Sequence, residues 1–122
     1  MKQDTLSDLK TVAEALFQQQ YQTLRPVLDA EARLQRGLAK LDAQMRQARQ
    51  ESTQTDGYNI TGTDVLWRGW EASTRRQLNM ELARTRAQKL AALDALRHAF
   101  GRKQALETLS NSLQQDARRG RS

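Results

Sequence analysis

The chain is predicted to be all-α, with two long helices forming an antiparallel coiled-coil hairpin that takes in residues 1–122 as one unit. Three observations predict this. Between Pro26 and Ala48, apolar or small residues recur with alternating gaps of four and three, at Val27, Leu34, Leu38, Leu41, Met45 and Ala48, and only Glu31 breaks the register. A looser version of the spacing returns at Leu78, Leu82, Lys89, Leu93, Leu96, Phe100, Lys103 and Leu106. A 3.5-residue period over several heptads lets two helices hold a narrow seam and supercoil around it. The composition is the third observation: 38% of the residues are hydrophobic, 5% aromatic and 28% charged. With one Pro and six Gly, the turn formers are too few for a many-stranded fold.

The first helix is expected over about 5–52. Thr5 or Ser7 supplies a cap, and Asp8 stands three residues after Thr5 in a capping-box pattern that satisfies the orphan amides of the first turn. The helix carries Leu6, Leu9, Val12 or Ala13, Leu16, Phe17 and Leu24. Pro26 lacks an amide proton and disfavours helical geometry at Arg25, so a kink or a short break is expected there. A kink fits better, because the apolar stripe resumes in near register. Residues 52–64 (STQTDGYNITGTD) form the one strong reversal, with a turn at 53–63. Their polar side chains compete for backbone hydrogen bonds, and Gly57 and Gly62 permit left-handed turns. Thr63 or Asp64 then caps a second helix over about 64–117, weakened at Gly69 and Gly101 and followed by a fraying basic tail, 118–122. Two arms of similar length joined by a short loop favour the antiparallel topology.

Charge is unevenly distributed. Residues 1–65 hold eight Lys and Arg against nine Asp and Glu, whereas residues 66–122 hold twelve against five. The basic second half favours an acidic partner, whether nucleic acid, an anionic membrane surface or an acidic protein groove. There is no apolar run long enough to span a membrane, and the start of the chain lacks the layout of a signal peptide. The absence of Cys removes any disulfide framework and fits a reducing compartment.

Catalytic chemistry finds no foothold. His98 is the single histidine, and beside Arg97, Arg102 and Lys103 it reads as a solvent-facing residue. Without a second His or any Cys, no His- or Cys-based metal site is expected. Asp29 and Glu31, or Asp56 and Asp64, have no partner base and no cavity to desolvate them. Gly57 and Gly62 are isolated and followed by no GK[ST], so no phosphate loop is expected, and Asn59-Ile60-Thr61 is a chance sequon. The chain is expected to be no enzyme and to need no cofactor.

Of six aromatic residues, Tyr58, Trp67 and Trp70 cluster around the reversal. The two tryptophans, at i and i+3, share a helix face. They either cover the end of the hairpin or anchor a partner, since Trp and Tyr dominate interface energetics.

The helical hairpin, polar turn, aromatic start of the second helix and terminal basic segment together resemble the flagellar FliJ and injectisome YscO family of type III export stalk proteins. The run Ala95-Leu96-Arg97-His98-Ala99-Phe100-Gly101-Arg102-Lys103-Gln104-Ala105-Leu106 is similar to the family's second helix, where a basic Lys/Arg-Lys-Gln-x-Leu run follows an aromatic. Trp70 falls where the family has an aromatic just beyond the turn. The resemblance covers nearly the whole chain. It departs where the family has tyrosines near the end of the first helix, since Ala43, Met45 and Gln47 stand here instead.

A monomer is expected because the reversal at 52–64 is the only strong break and both arms carry apolar stripes. The resemblance implies a cytoplasmic stalk, peripheral to the inner membrane, that inserts into a hexameric export ATPase ring, reaches the membrane export gate and binds export chaperones. The gate-facing residues would be Tyr58, Trp67, Trp70, Thr74, Gln77 and Glu81, and the ATPase-facing ones Leu6, Leu9, Arg97, Arg102, Lys103 and Leu106. No small-molecule substrate is implied. The basic residues Arg84, Arg86, Lys89, Arg97, Arg102 and Lys103 would surround the helix and steer it into an acidic channel. The alternative is a basic coiled-coil nucleic-acid-binding or scaffold protein. Nucleic acid is disfavoured because the cations are spread over many turns and no recognition motif accompanies them.

Overall fold

A computed structural model describes residues 2–54 and 62–120. Two helices account for them, α1 (Lys2–Gln54) and α2 (Gly62–Gly120), packed against each other. The all-helical expectation holds, and both helices exceed their predicted bounds. Thr5 and Ser7 lie inside α1 and do not cap it; the Ser7 carbonyl instead accepts a bond from Thr11 Oγ1 at 3.0 Å. Asp4 occupies the first turn, where its charge favours the exposed amides of the helix start. Gly62, expected in the turn, is the first residue of α2, so the start of that helix precedes Thr63 and Asp64. At the other end α2 continues past Ala117, with Arg118 and Arg119 complementing the C-terminal dipole. The reversal itself, 55–61 with Gly57, lies outside the described residues.

Pro26 sits within α1, which runs through it without a break. Its ring is on an exposed position, while Leu24 is buried and Val27 half-buried on either side. Side chains held at both flanks offset the one backbone hydrogen bond that Pro removes.

Backbone contacts divide the chain into two compact units, Met1–Pro26 with Lys89–Ser122, and Val27–Gln88. In the first, Glu14 pairs with Lys103 and Phe17 with Phe100, so three residues forward on α1 match three back on α2. In the second, Glu31 pairs with Arg86 and Asp42 with Arg75, eleven forward against eleven back. The arms are therefore antiparallel within each unit.

The seam is narrow. Only Leu6, Ala13, Leu24, Leu41, Leu82 and Ala99 are buried apolar residues among those described, with Thr85 the one buried polar residue. In the second unit Val27, Leu34, Leu38, Leu41, Met45 and Ala48 all face inward to some degree. Glu31 keeps the same 4–3 spacing, and its half-buried carboxylate meets Arg86 Nε at 3.4 Å, so the apparent break is a polar seam position. Facing them on α2, Glu71, Arg75, Leu78, Leu82 and Thr85 are half-buried or buried and spaced by four, three, four and three, so the same register runs on without a break. Gly37 lies opposite Leu78, whose methyls would be 3.8 Å from a Cβ at that position.

Phe100 corrects the expected second stripe. It is 46% exposed, and its neighbour Ala99 takes the seam position at 7%. Likewise Ala13 rather than Val12 faces inward. Small residues let the helices approach, and the larger neighbours rotate about 100° away to the flank. Gly101 stands in open space on that outer surface. Gly101→Ala is expected to stabilise the fold by about 0.5–1 kcal/mol, since it adds no clash and removes glycine's entropy cost in a helix interior. Thermal melts followed by circular dichroism check this, and a lowered midpoint contradicts it.

Candidate interaction surfaces

The first unit brings the chain-end segments together around a mixed polar and aromatic cluster. Lys103 Nζ donates to Glu14 Oε2 at 2.8 Å, and the same ammonium lies 4.9 Å from the centroid of the Phe17 ring. Gln18 Nε2 donates to the other Glu14 oxygen at 3.1 Å. Phe17 and Phe100 sit 5.9 Å apart at a tilted 49°, an arrangement that the ring quadrupoles favour. The Lys103 hydrogen bond, with a smaller contribution from Gln18, holds the Glu14 carboxyl below its ordinary range. Glu14 in turn holds the Lys103 ammonium above its own. Both groups therefore stay charged across the neutral range.

Of the two places expected for Lys103, on the apolar-spaced stripe and among the ATPase-facing cations, the structure supports the first. Lys103 is a half-buried seam residue held by Glu14 and Phe17, not a free cation on the outer surface. Arg97 and Arg102 are exposed, as expected of charges meant for a partner. Leu6 is buried at 7% and Leu106 half-buried, whereas Leu9 is 49% exposed. Of the six expected ATPase-facing residues, Leu9, Arg97 and Arg102 are thus offered to solvent, and the other three mainly hold the helices together.

Leu9 does not stand alone. With Val12, Leu16, Ala99, Ala105 and Leu106 it lines an open, almost wholly apolar groove, crossed by Arg102. The sequence reading merged these leucines with the seam. The signal that separates them is a second 4–3 run, Leu9, Val12 and Leu16, lying beside Leu6, Ala13 and Phe17 on the same helix.

His98 is exposed, with Nε2 3.5 Å from Asp94 one turn earlier. No group of three or more His, Cys, Asp or Glu suited to a metal occurs among the described residues. No described helix is long and apolar enough to cross a membrane.

The second unit contains the aromatic pair. Trp67 and Trp70 have ring centroids 6.2 Å apart at 45°. Trp67 is half-buried and Trp70 52% exposed. Beside them Gln44, Gln47, Ala48 and Glu51 of α1 complete a shallow groove. Tyr58 and the carboxylates of Asp56 and Asp64 lie outside the described residues. Thr74 and Glu81 are half-buried, and Gln77 is exposed with its amide 3.5 Å from Glu81. The expected gate-facing stripe is consequently split, with Trp70 and Gln77 facing solvent and Thr74 facing the seam.

A charge network missed by sequence reasoning locks this unit. Arg75 donates from Nη2 to Asp42 at 2.6 Å across the seam and from Nε to Glu71 at 2.8 Å along its own helix. The Asp42 bond, then the Glu71 bond, raise the guanidinium above its usual value. The exposed groups of the two units include Trp70, Leu9 and the guanidinium groups of Arg97 and Arg102.

The fold class is that of a two-helix antiparallel coiled coil whose chain ends meet in one unit. No family model, no curated protein and no solved structure matches the chain.

Proposed function

We propose that the chain is a non-enzymatic central-stalk component of a type III protein export apparatus, flagellar or injectisome. It couples the hexameric export ATPase to the membrane export gate and contacts export chaperones, as a monomer at the cytoplasmic side of the inner membrane. One observation carries this reading: helices of 53 and 59 residues pair along a thin seam, and the unit holding both chain ends leaves Arg97 and Arg102 free in solvent. Such an arrangement suits insertion into an acidic ring, because each exposed charge contributes little alone while together they steer encounter.

The test uses the purified chain with an export ATPase. The double variant Arg97→Glu, Arg102→Glu is expected to associate about tenfold more slowly at low salt and to lose most of the salt dependence. Lys103 is left intact because its reversal would break the Glu14 contact and confound binding with folding. Equal association of parent and variant at low and high salt rules out electrostatic insertion. A parent that ignores the ATPase but binds duplex DNA or RNA at physiological salt replaces the stalk with the nucleic-acid reading, which the basic second half of the chain favours.

A further inference from the structure

We propose that the apolar groove of the first unit docks a second copy of the chain, the two pairing about a two-fold axis into a short four-helix bundle. The groove is the flank of the seam lined by Leu9, Val12 and Leu16 of α1 and by Ala105 and Leu106 of α2. Leu9 is 49% exposed, Val12 56% and Leu16 38%, and Leu109, one turn on from Ala105, adds a further leucine at 49%. The other flank of the same seam is polar, with Lys10, Glu14, Lys103 and Glu107 among the residues that line it. There Glu14 and Lys103 satisfy each other. The groove instead leaves four large apolar side chains in solvent.

The charges beside the groove select its occupant. Arg102 is the one charged residue that lines it, and Asp8 stands one turn before Val12 on the α1 rim. Both are exposed, and neither forms an ion pair among the described residues. The Glu14–Lys103 and Phe17–Phe100 contacts set which levels of the two helices face each other in this unit. By that register Asp8 and Arg102 of one chain lie roughly 10 Å apart along the helices. A second copy turned about a two-fold axis through the middle of the apolar residues lays its α2 along α1 in the same direction. Val12 then faces Leu106 of the copy and Asp8 faces its Arg102, each pair 94 positions apart in sequence. Leu16 falls beside Leu109, 93 positions on. The two-fold axis makes every contact twice. The result is an apolar centre with an opposite-charge pair at each end, and such pairs fix the register of an interface.

A lipid surface suits the groove less well, because Asp4 and Asp8 on the same stretch of α1 would meet anionic headgroups beside a single Arg102. The groove is also small against the roughly 20–30 residues a side of a standard interface. The pair is therefore weak and reversible. On the stalk reading Leu9 and Arg102 face the export ATPase, and pairing would hide both. Self-pairing and ATPase engagement then exclude each other, and the single chain is the form that enters the ring. This consequence rests on the stalk reading, whereas the pairing itself does not.

Sedimentation equilibrium of the full chain tests this. The average mass is expected to climb from one chain toward two as the concentration is raised to about 1 mM. Val12→Glu is expected to weaken pairing about a hundredfold, since each copy loses a buried valine worth about tenfold. Helicity should be unchanged, because the position is exposed. Asp8→Arg and Arg102→Asp should each weaken pairing, and an equal mixture of the two should pair more tightly than either alone, because every mixed contact again joins opposite charges. A chain that stays monomeric throughout, pairing that survives Val12→Glu, or a mixture no tighter than its components overturns the proposal. If the chain never pairs and Val12→Glu abolishes association with the ATPase or with phosphatidylglycerol vesicles, that occupant takes the groove and the dimer is overturned. Pairing without ATPase association removes the stalk and keeps the dimer, whereas ATPase association by a chain that never pairs does the reverse.

Discussion

Replacing Leu41 with Ala is expected to cost about 3 kcal/mol, within the range for truncating a buried leucine. Leu41 is 3% exposed, the lowest value among the buried apolar residues described. It also precedes Asp42, whose carboxylate reaches Arg75 across the seam at 2.6 Å. A cavity at Leu41 would loosen both the packing and the geometry of that ion pair. In a seam with so few buried side chains, the neighbours have little apolar mass with which to collapse into the gap. Leu90, 69% exposed on α2, is the control: Leu90→Ala should change stability by less than about 0.5 kcal/mol. Urea unfolding followed by circular dichroism compares the two variants. Equal losses would mean that the seam does not run through Leu41.

On the stalk reading proposed above, Trp70→Ala is expected to weaken capture of a membrane export gate by about 2 kcal/mol or more, roughly thirtyfold, while leaving helicity nearly intact. The reason is the asymmetry between the two tryptophans. Trp67 is half-buried against α1, whereas Trp70 leaves half its surface in solvent 6.2 Å away. Truncating Trp70 removes an exposed anchor and little of the seam. Trp67→Ala should instead lower the melting temperature as well as binding. If Trp70→Ala mainly lowers the melting temperature and leaves capture unchanged, both rings serve to close this end of the helix pair.

Much of α1 is legible without coordinates, since Val27, Leu34, Leu38, Leu41 and Met45 repeat at the period that a helix seam requires. Element ends were less legible. Thr5, Ser7 and Gly62 carry cap and turn chemistry, yet each lies within a helix, because neighbouring backbone bonds outweigh a local side-chain alternative. The second stripe was misassigned at one point for a related reason. Ala99 and Phe100 both fit the spacing, and hydrophobicity favours Phe, but close approach of the helices selects the smaller residue.

The candidate surfaces divide in the same way. Periodicity and charge, read along the chain, determined by themselves that two helices pair, that the second half is basic and that aromatics gather beside the reversal. Only the tertiary structure decided which of those residues are free to meet a partner. Lys103 and Arg102 read alike as basic residues meant for a partner, and although the spacing puts Lys103 on the stripe, it is Glu14 and Phe17, nearly ninety positions earlier, that hold it in the seam and leave Arg102 outside. Glu31 looks like a break, and Arg86 makes it a seam position. Val65 and Leu66 are apolar residues in the first turns of α2, yet both are exposed. The physical reason is that local spacing sets which residues share a face of one helix, while the rotation of that face toward or away from the other helix depends on contacts far apart in the chain.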